Sequence, residues 1–298
     1  MRNLLKLLLA ACVGFTGLLA QAQTNASCTF HVFTIGNPAS GNIFVPQGIN
    51  KFGTIVGFVD QNNGIDVGFT RFSNGAVSIF KAPNSLDTII RHRNDQGINT
   101  GTFNLPGSTP SNTGFVKTSS GFQTIKFPGA RQTFVAGSNK CGTIVGDYIG
   151  TDNHFHGFKL KSGKFTTIHP NGAVDTFVNG VNDSGVIVGA FSTGGVDNQG
   201  FVDRNGAIST LTFPGEVGFG GTTLNDISNT GVIVGSVWTG PDTRSAFIHN
   251  SGGFKVVSVP HSRLTEANGI SNSNVIAGHT IIVGTNTETD EAFTATCH

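Results

Sequence analysis

Charged side chains are scarce in this chain: they make up 12% of its 298 residues, and 18 lysines and arginines nearly cancel 17 aspartates and glutamates. The usual charged share is about twice that. A net charge of +1 leaves no basic footprint for nucleic acid or an anionic membrane surface. Rings with a polar edge are scarcer still, with one Trp and one Tyr. Sugar-binding faces use such rings for their flat surface and polar tip, so a dedicated lectin or a polysaccharide hydrolase with many subsites is disfavoured. No sustained 3.6-residue period runs through the chain beyond its first two dozen residues, which argues against helices. Past Ala20 there is no apolar run long enough to cross a bilayer. Gly-x-Ser-x-Gly elbows, His-Glu-x-x-His helices, zinc-type cysteine pairs and Ser-x-Asp-x-Gly-x-Thr-Trp boxes are all missing. Those absences remove the enzymes that announce themselves in linear motifs, but not a site assembled from several segments.

Glycine and phenylalanine are plentiful instead, at 42 and 25 copies, and glycine keeps time. A decapeptide recurs as GINKFGTIVG at 48–57, GSNKCGTIVG at 137–146 and GVNDSGVIVG at 180–189. Looser copies are HRNDQGINTG at 92–101, DISNTGVIVG at 226–235 and GISNSNVIAG at 269–278. Their last glycines are Gly57, Gly101, Gly146, Gly189, Gly235 and Gly278, at steps of 44, 45, 43, 46 and 43 residues. A fixed period of this size marks a repeat architecture in which each unit hides its apolar face against its neighbours.

The start of the chain is different. Arg2 and Lys6 precede an apolar stretch from Leu7 to Ala20, followed by Ala20-Gln21-Ala22. This reads as a secretory signal over residues 1–22, and the remaining chain is expected to be secreted or periplasmic. Leu9-Ala10-Ala11-Cys12 offers a rival reading, lipoprotein anchoring at Cys12, although Val13 to Ala20 stays apolar where a lipoprotein turns polar.

Each repeat carries four short runs of Val, Ile, Thr and Phe, separated by Asn, Asp and Gly and stopped by Pro. Such runs read as strands joined by hairpins. The predicted fold is all-β: a six-bladed β-propeller of four-stranded blades over residues 28–298. Phe69, Phe115, Phe158, Phe201, Phe247 and Phe293 take one slot in the third strands and are expected to fill the wedges between sheets. The last repeat runs out after its third strand, while residues 29–35 resemble a fourth, so the first mature strand is expected to complete the last blade and remove its open edge. Aligning the ends on the other repeats puts Cys28 and Cys297 in neighbouring positions of a hairpin turn, where a disulfide would replace the missing covalent turn. Cys141 is then left without a partner.

Gly-Ile-Asn-x-x-Gly-x-Ile-Val-Gly, then His156-Gly157-Phe158, then Phe165 to Ile168 ahead of Pro170, resembles the bacterial extracellular repeat group called HAF. The resemblance covers the mature chain and implies an exported propeller-like module without established catalytic residues. The signature histidine is Val67, Thr113, Gln199, Ser245 and Glu291 in the other repeats, which speaks against a shared histidine-based activity.

Turns between first and second strands are uniform, whereas the loops between second and third strands diverge at 60–66, 104–112, 150–155, 193–198, 239–244 and 283–290. Diverse loops on a constant scaffold are where repeat proteins place recognition. On them Asp197, Trp238, Asp242 and Arg244 are the candidate ligand contacts. Asp60, Asn62 and Asp66 present oxygens at alternate positions, as a calcium loop does, but without its distal glutamate; a solvated Asn-Gly hairpin is the competing reading. Asp152, His154 and His156 alternate as well, which in an extended segment lets both imidazoles share a metal. Tyr148 takes the slot of Phe103 and Phe191 and is expected to pack. The function expected is a secreted, monomeric scaffold binding a protein or extracellular polymer through these loops. The alternative is a calcium-assisted extracellular hydrolase or lyase on the loop face or in the central channel. Carboxylates and histidines converging on the channel would favour the enzyme; an apolar channel would favour the scaffold.

Overall fold

A computed structural model of the chain describes residues 25–35, 42–61, 64–107, 112–195, 197–215, 220–240, 243–285 and 287–297. Residues 1–22, where the sequence leads one to expect a signal, and Asn62 and Asp242 lie outside the described residues, as does Cys12.

Every regular element among the described residues is a strand. The chain opens with β1 (Cys28–Phe33). A first antiparallel meander follows: β2 (Ile43–Ile49), β3 (Ile55–Gln61), β4 (Ile65–Arg71) and β5 (Val77–Phe80). The second holds β6 (Thr88–Arg93), β7 (Asn99–Phe103), β8 (Thr113–Lys117) and β9 (Phe122–Ile125). The third holds β10 (Gln132–Ser138), β11 (Ile144–Ile149), β12 (Phe155–Lys161) and β13 (Lys164–Ile168). The fourth holds β14 (Asp175–Val181), β15 (Val186–Ser192), β16 (Gln199–Arg204) and β17 (Ala207–Thr210). Then come β18 (Thr222–Ile227), β19 (Ile233–Gly240), β20 (Thr243–Asn250) and β21 (Gly253–Val257), and finally β22 (Ser262–Ile270), β23 (Val275–Val283) and β24 (Glu288–Cys297).

The strands form five sheets rather than six separate ones, because a parallel bridge between Arg244 and Leu264 joins β20 to β22 and merges the last two meanders into one eight-stranded sheet. The seam lies where the ends of the sequence place it: β1 pairs antiparallel with β24, Val32 opposite Phe293 and Cys28 opposite Cys297, and those two cysteines form a disulfide. Cys141 is an exposed free thiol.

First strands pack one against the next around an axis. Asn179 Nδ2 donates to Leu224 O at 2.9 Å, Asn225 Nδ2 to Ala267 O at 2.9 Å, and Asn268 Nδ2 to Pro46 O at 2.9 Å. The last of these bonds links β22 to β2 and closes the circle. The core consists of wedges between sheets: Phe69, Phe115, Phe158, Phe201, Phe247 and Phe293 are each 0% exposed. Leu224 on β18, for instance, packs with Val188 and Val202 of the preceding sheet, and Ile49 and Phe69 pack with Ala277 and Ala292 across the closure.

Three slots of the decapeptide have direct physical reasons. Its last glycine pairs so closely with the first strand that a Cβ on Gly189 would collide with Phe177 O and with the Phe201 ring. Its turn glycine has positive φ, 81° at Gly185, and the divergent sixth copy meets the same demand with Asn274 at 58°. Its asparagine folds the turn onto itself: Asn182 Oδ1 accepts the amides of Ser184 and Val186 at 3.1 and 3.0 Å, while Nδ2 donates to Ser228 O of the next repeat at 3.2 Å. Ser271 Oγ accepts the corresponding Ser273 and Val275 amides in its own repeat, and Ser228 Oγ accepts the Val232 amide. Asn182→Ala is therefore expected to cost about 2–4 kcal/mol, since it removes three hydrogen bonds at once, one of them the buried link to the next repeat, and Asn182→Ser clearly less. Urea unfolding of both variants checks the order; an equal cost would contradict it.

Candidate functional site

The axis of the circle is a polar channel with two mouths. Each inner strand carries a bulge at the same place, between Ile90 and His92 on β6 and between Leu224 and Asp226 on β18, for example, and β22 has a second one between Ser262 and Leu264. A bulge re-aims the side chain it carries. The paired residue that follows this bulge is glycine in four of the six strands, Gly48, Gly137, Gly180 and Gly269; His92 and Asp226 stand in the other two. Both line a hollow of about 370 Å³ at the mouth formed by the first-to-second-strand turns. Burial pushes Asp226 up to about 7, against the Ile270 and Ile227 amides that hydrogen-bond its carboxyl at 3.0 and 2.8 Å. His92 is pushed down to about 4 by burial, with Asp95 and Asp183 pulling the other way, and its Nδ1 is buried without a hydrogen-bond partner. Around the rim the polar groups satisfy one another: Asp95 accepts from the Lys51 amide at 2.9 Å and from Asn272 Nδ2 at 2.7 Å, and Asp183 accepts from Lys140 and Asn229. The uniformity of these turns in the sequence concealed this mouth.

The opposite mouth is framed by the divergent loops. It gathers three of the candidate contacts. Asp197 Oδ1 accepts the Gly220 amide at 2.8 Å; Gly220, with φ 126°, lies so close to the Trp238 indole that a Cβ there would strike the ring edge. The Arg244 guanidinium sits 5.5 Å from the Trp238 ring centroid, a cation–π distance. It also pairs with Glu266 Oε1 and donates to Ser236 Oγ at 3.0 Å. Arg244 and Glu266 open onto a hollow of about 200 Å³ that also includes Arg91 and Asn225. Beside it, and sharing Arg91, a hollow of about 290 Å³ is walled by Phe134, Phe155 and Phe177 and contains Asp147. Asp147 is 8% exposed, and burial raises its carboxyl to about 7 although Arg91 and the Val178 amide oppose the rise.

The channel is thus polar at both ends, not the apolar one expected of a scaffold that recognises only at its loop tips. Side chains alternate along an extended strand, so one row of each inner strand must face the axis, and Gln47, Arg91, Asn179, Asn225 and Asn268 occupy that row.

The metal candidates divide. Asp60 and Asp66 face each other across β3 and β4, and Asp66 is raised by burial, by Asp60 and by Asp87. The Asp66 amide donates to Asp87 Oδ1 at 3.1 Å, and Asp87 Oδ2 accepts from Asn104 at 2.7 Å. Asp152, His154 and His156 lie in one region, but each imidazole has its own carboxylate: His154 Nδ1 is 3.2 Å from Asp175 Oδ1, and His156 Nε2 is 2.9 Å from Asp152 Oδ2. The His156 hydrogen bond and the His154 amide hold Asp152 below the usual carboxylate range. Among the described residues no three His, Cys, Asp or Glu side chains are grouped to hold a metal ion. Tyr148 packs flat on Phe127, ring centroids 3.7 Å apart.

No family model and no curated protein matches the chain. Solved structures do. AofleA from Arthrobotrys oligospora is 11% identical with a TM-score of 0.54, over 91% of this chain and 90% of that one. A putative TolB from Agrobacterium tumefaciens is 12% identical with a TM-score of 0.55, over 78% and 88%. Aleuria aurantia lectin, solved as a mutant in complex with alpha-methyl-L-fucoside, is 12% identical with a TM-score of 0.50, over 87% and 96%. At such identities the likeness carries the fold alone, and the fold is a β-propeller.

Proposed function

We propose that the protein is an exported six-bladed propeller of the HAF-type repeat group that binds a protein or extracellular polymer through its loop face. Six blades are supported by the division of the eight-stranded sheet into two meanders, and by six first strands that follow one another back to the start. Export is supported by the signal-like start of the sequence and by a disulfide, a bond that persists in oxidising compartments. The observation that carries the reading is the gathering of Asp197, Trp238 and Arg244 at the loop-side mouth. The likeness in fold to a lectin solved with a fucoside supports a carbohydrate-bearing polymer as the first partner to try.

Surface plasmon resonance on the immobilised mature protein, with soluble bacterial exopolysaccharides and a fucosylated neoglycoprotein as analytes, tests this. Saturable binding is expected, weakened about tenfold or more by Trp238→Ala, as for a central aromatic contact, and unchanged by Lys140→Ala on the opposite face. Full binding by Trp238→Ala, or its loss in Lys140→Ala, would overturn the assignment of the face.

A second reading, a calcium-assisted hydrolase or lyase in the channel, has in its favour the two carboxyls raised to about 7, Asp147 and Asp226. Asp226 is occupied by backbone amides at both oxygens, a structural use. Polymer cleavage by the protein that EDTA abolishes would favour this reading over the first.

A further inference from the structure

We propose that the hollow bounded by Phe134, Phe155, Phe177 and Arg91 is a binding site for a small organic carboxylate with an apolar or aromatic body. This site adjoins the hollow onto which Arg244 opens, sharing Arg91, Ala136 and Asn179 with it, but its Phe134, Phe155, Phe177 and Asp147 lining is its own.

The repeats supply an internal control. Residues that only build the blade recur at their slot, whereas this hollow is built from slots whose occupant changes from repeat to repeat. The Phe155 slot is Asp66, Asn112, Asn198, Arg244 and Asp290 in the other repeats, polar every time. The Asp147 slot is Phe58, Thr102, Ala190, Ser236 and His279. The Arg91 slot is Gln47, Ala136, Asn179, Asn225 and Asn268, never charged. Phe134 and Phe177 face the channel where the other inner strands have Val45, Ile89, Thr223 and Glu266. Three neighbouring sheets each contribute a residue from such slots to one cavity of about 290 Å³, the combination of one arginine, one buried aspartate and three phenylalanines occurring nowhere else on the circle.

Their chemistry is complementary to one kind of molecule. Phe155 contacts Phe134 and Phe177, with ring centroids 5.8 and 4.8 Å apart, giving a continuous apolar wall for a ring or alkyl body. Arg91, exposed toward the channel, offers the planar donor fork that suits a carboxylate. Asp147 is more than nine-tenths buried and lines the same hollow; below about pH 7 it is protonated and can donate to the bound carboxylate instead of repelling it. Other titratable groups on the adjoining strands are engaged with each other, His154 with Asp175 and His156 with Asp152. Charge at the site is then that of Arg91, which favours an anion over an amine of the same shape.

Isothermal titration of the mature protein at pH 6 with phenylacetate, and with phenethylamine as the cationic counterpart, tests the site. Phenylacetate is expected to bind at one site with a dissociation constant of about 1 mM or tighter, and phenethylamine not to saturate. Arg91→Gln and Phe155→Asn place in these slots residues that other blades carry at theirs, Gln47 and Asn112, so folding should survive, with unchanged thermal melts as the check. Each should weaken phenylacetate about tenfold or more. No saturable phenylacetate binding, binding indifferent to both substitutions, or tighter binding of phenethylamine would each overturn the proposal. Polymer recognition at Trp238 is read from separate variants, so either result leaves the other interpretable.

Discussion

Replacing Cys28 and Cys297 together by serine is expected to lower the unfolding free energy by about 3–5 kcal/mol. The bond closes a loop with a sequence separation of 269 residues, for which the chain-entropy model gives roughly 5 kcal/mol, and native disulfides realise about 2–5. The physical reason is particular to the seam. Every other fourth strand is tied to its third by a covalent hairpin turn, whereas β1 reaches β24 only through ladder bonds and through packing such as that of Phe30 on Phe293, 6.0 Å between ring centroids. Without the bond, β1 can peel off and expose both the edge of β24 and the apolar wedge behind it. Guanidinium unfolding of the oxidised protein, the reduced protein and the double serine variant checks the value. A difference under about 1 kcal/mol would mean that the seam is held by packing alone.

Raising the pH from 5 to 8 should destabilise the protein, the reverse of the usual trend for a protein with paired carboxylates. Asp147 and Asp226 titrate near 7 in the folded state against 3.8 ordinarily. Between those values the native chain holds protons that the unfolded chain has shed. Stability is thus fully present below about pH 4 and lost as pH rises through about 7, on the order of 4 kcal/mol per carboxyl at 1.36 kcal/mol per pH unit. His92 works in the opposite sense: its folded value of about 4 lies below the ordinary 6.5, so it contributes stability that grows between those values, on the order of 3 kcal/mol. Between pH 5 and 8 only part of each span is crossed, about 2 pH units for each carboxyl and about 1.5 for the imidazole, so the two carboxyls outweigh it and a net loss of about 3 kcal/mol is expected. Thermal melts at pH 5.5 and 8 should differ accordingly. Asp147→Asn keeps an acceptor for the Val178 amide and has nothing to ionise, so it should raise the melting temperature at pH 8 and shrink the difference. A flat profile, or a higher melting temperature at pH 8 than at 5.5, would contradict the burial of these carboxyls.

The scaffold was legible because its constraints repeat. A close backbone approach permits only glycine at Gly57, Gly146 and Gly189, and a wedge wants an aromatic ring in every third strand, so each requirement leaves several copies in the sequence. The seam was legible too, since a missing strand at one end and a surplus strand at the other need only be matched. The merged eight-stranded sheet was not, because it depends on one bridge at Arg244 that no pattern encodes. Recognition of the channel failed for a related reason. Strand alternation shows that one row of β6 and β18 faces the axis, but the bulges that turn His92 and Asp226 into it shift the register by one residue. Asp147 and Phe155 come from one repeat and Arg91 from the one before it, on three different strands, and they form no motif. Their signal was the loss of repeat identity at three slots, visible only when the repeats are compared at positions outside the decapeptide. On the loops, Trp238 and Arg244 were legible as the unusual residues of one segment, while the Gly220 contact that ties Asp197 to them crosses between repeats.

An experimental density map of the protein is the most direct test of the closed circle from which both faces of the disc are defined. Six four-stranded blades around one axis are expected, with β1 hydrogen-bonded to β24, Cys28 bonded to Cys297 and Asn268 reaching the Pro46 carbonyl. A map showing another number of blades, or β1 detached from β24 with those two sulfurs apart, would contradict it.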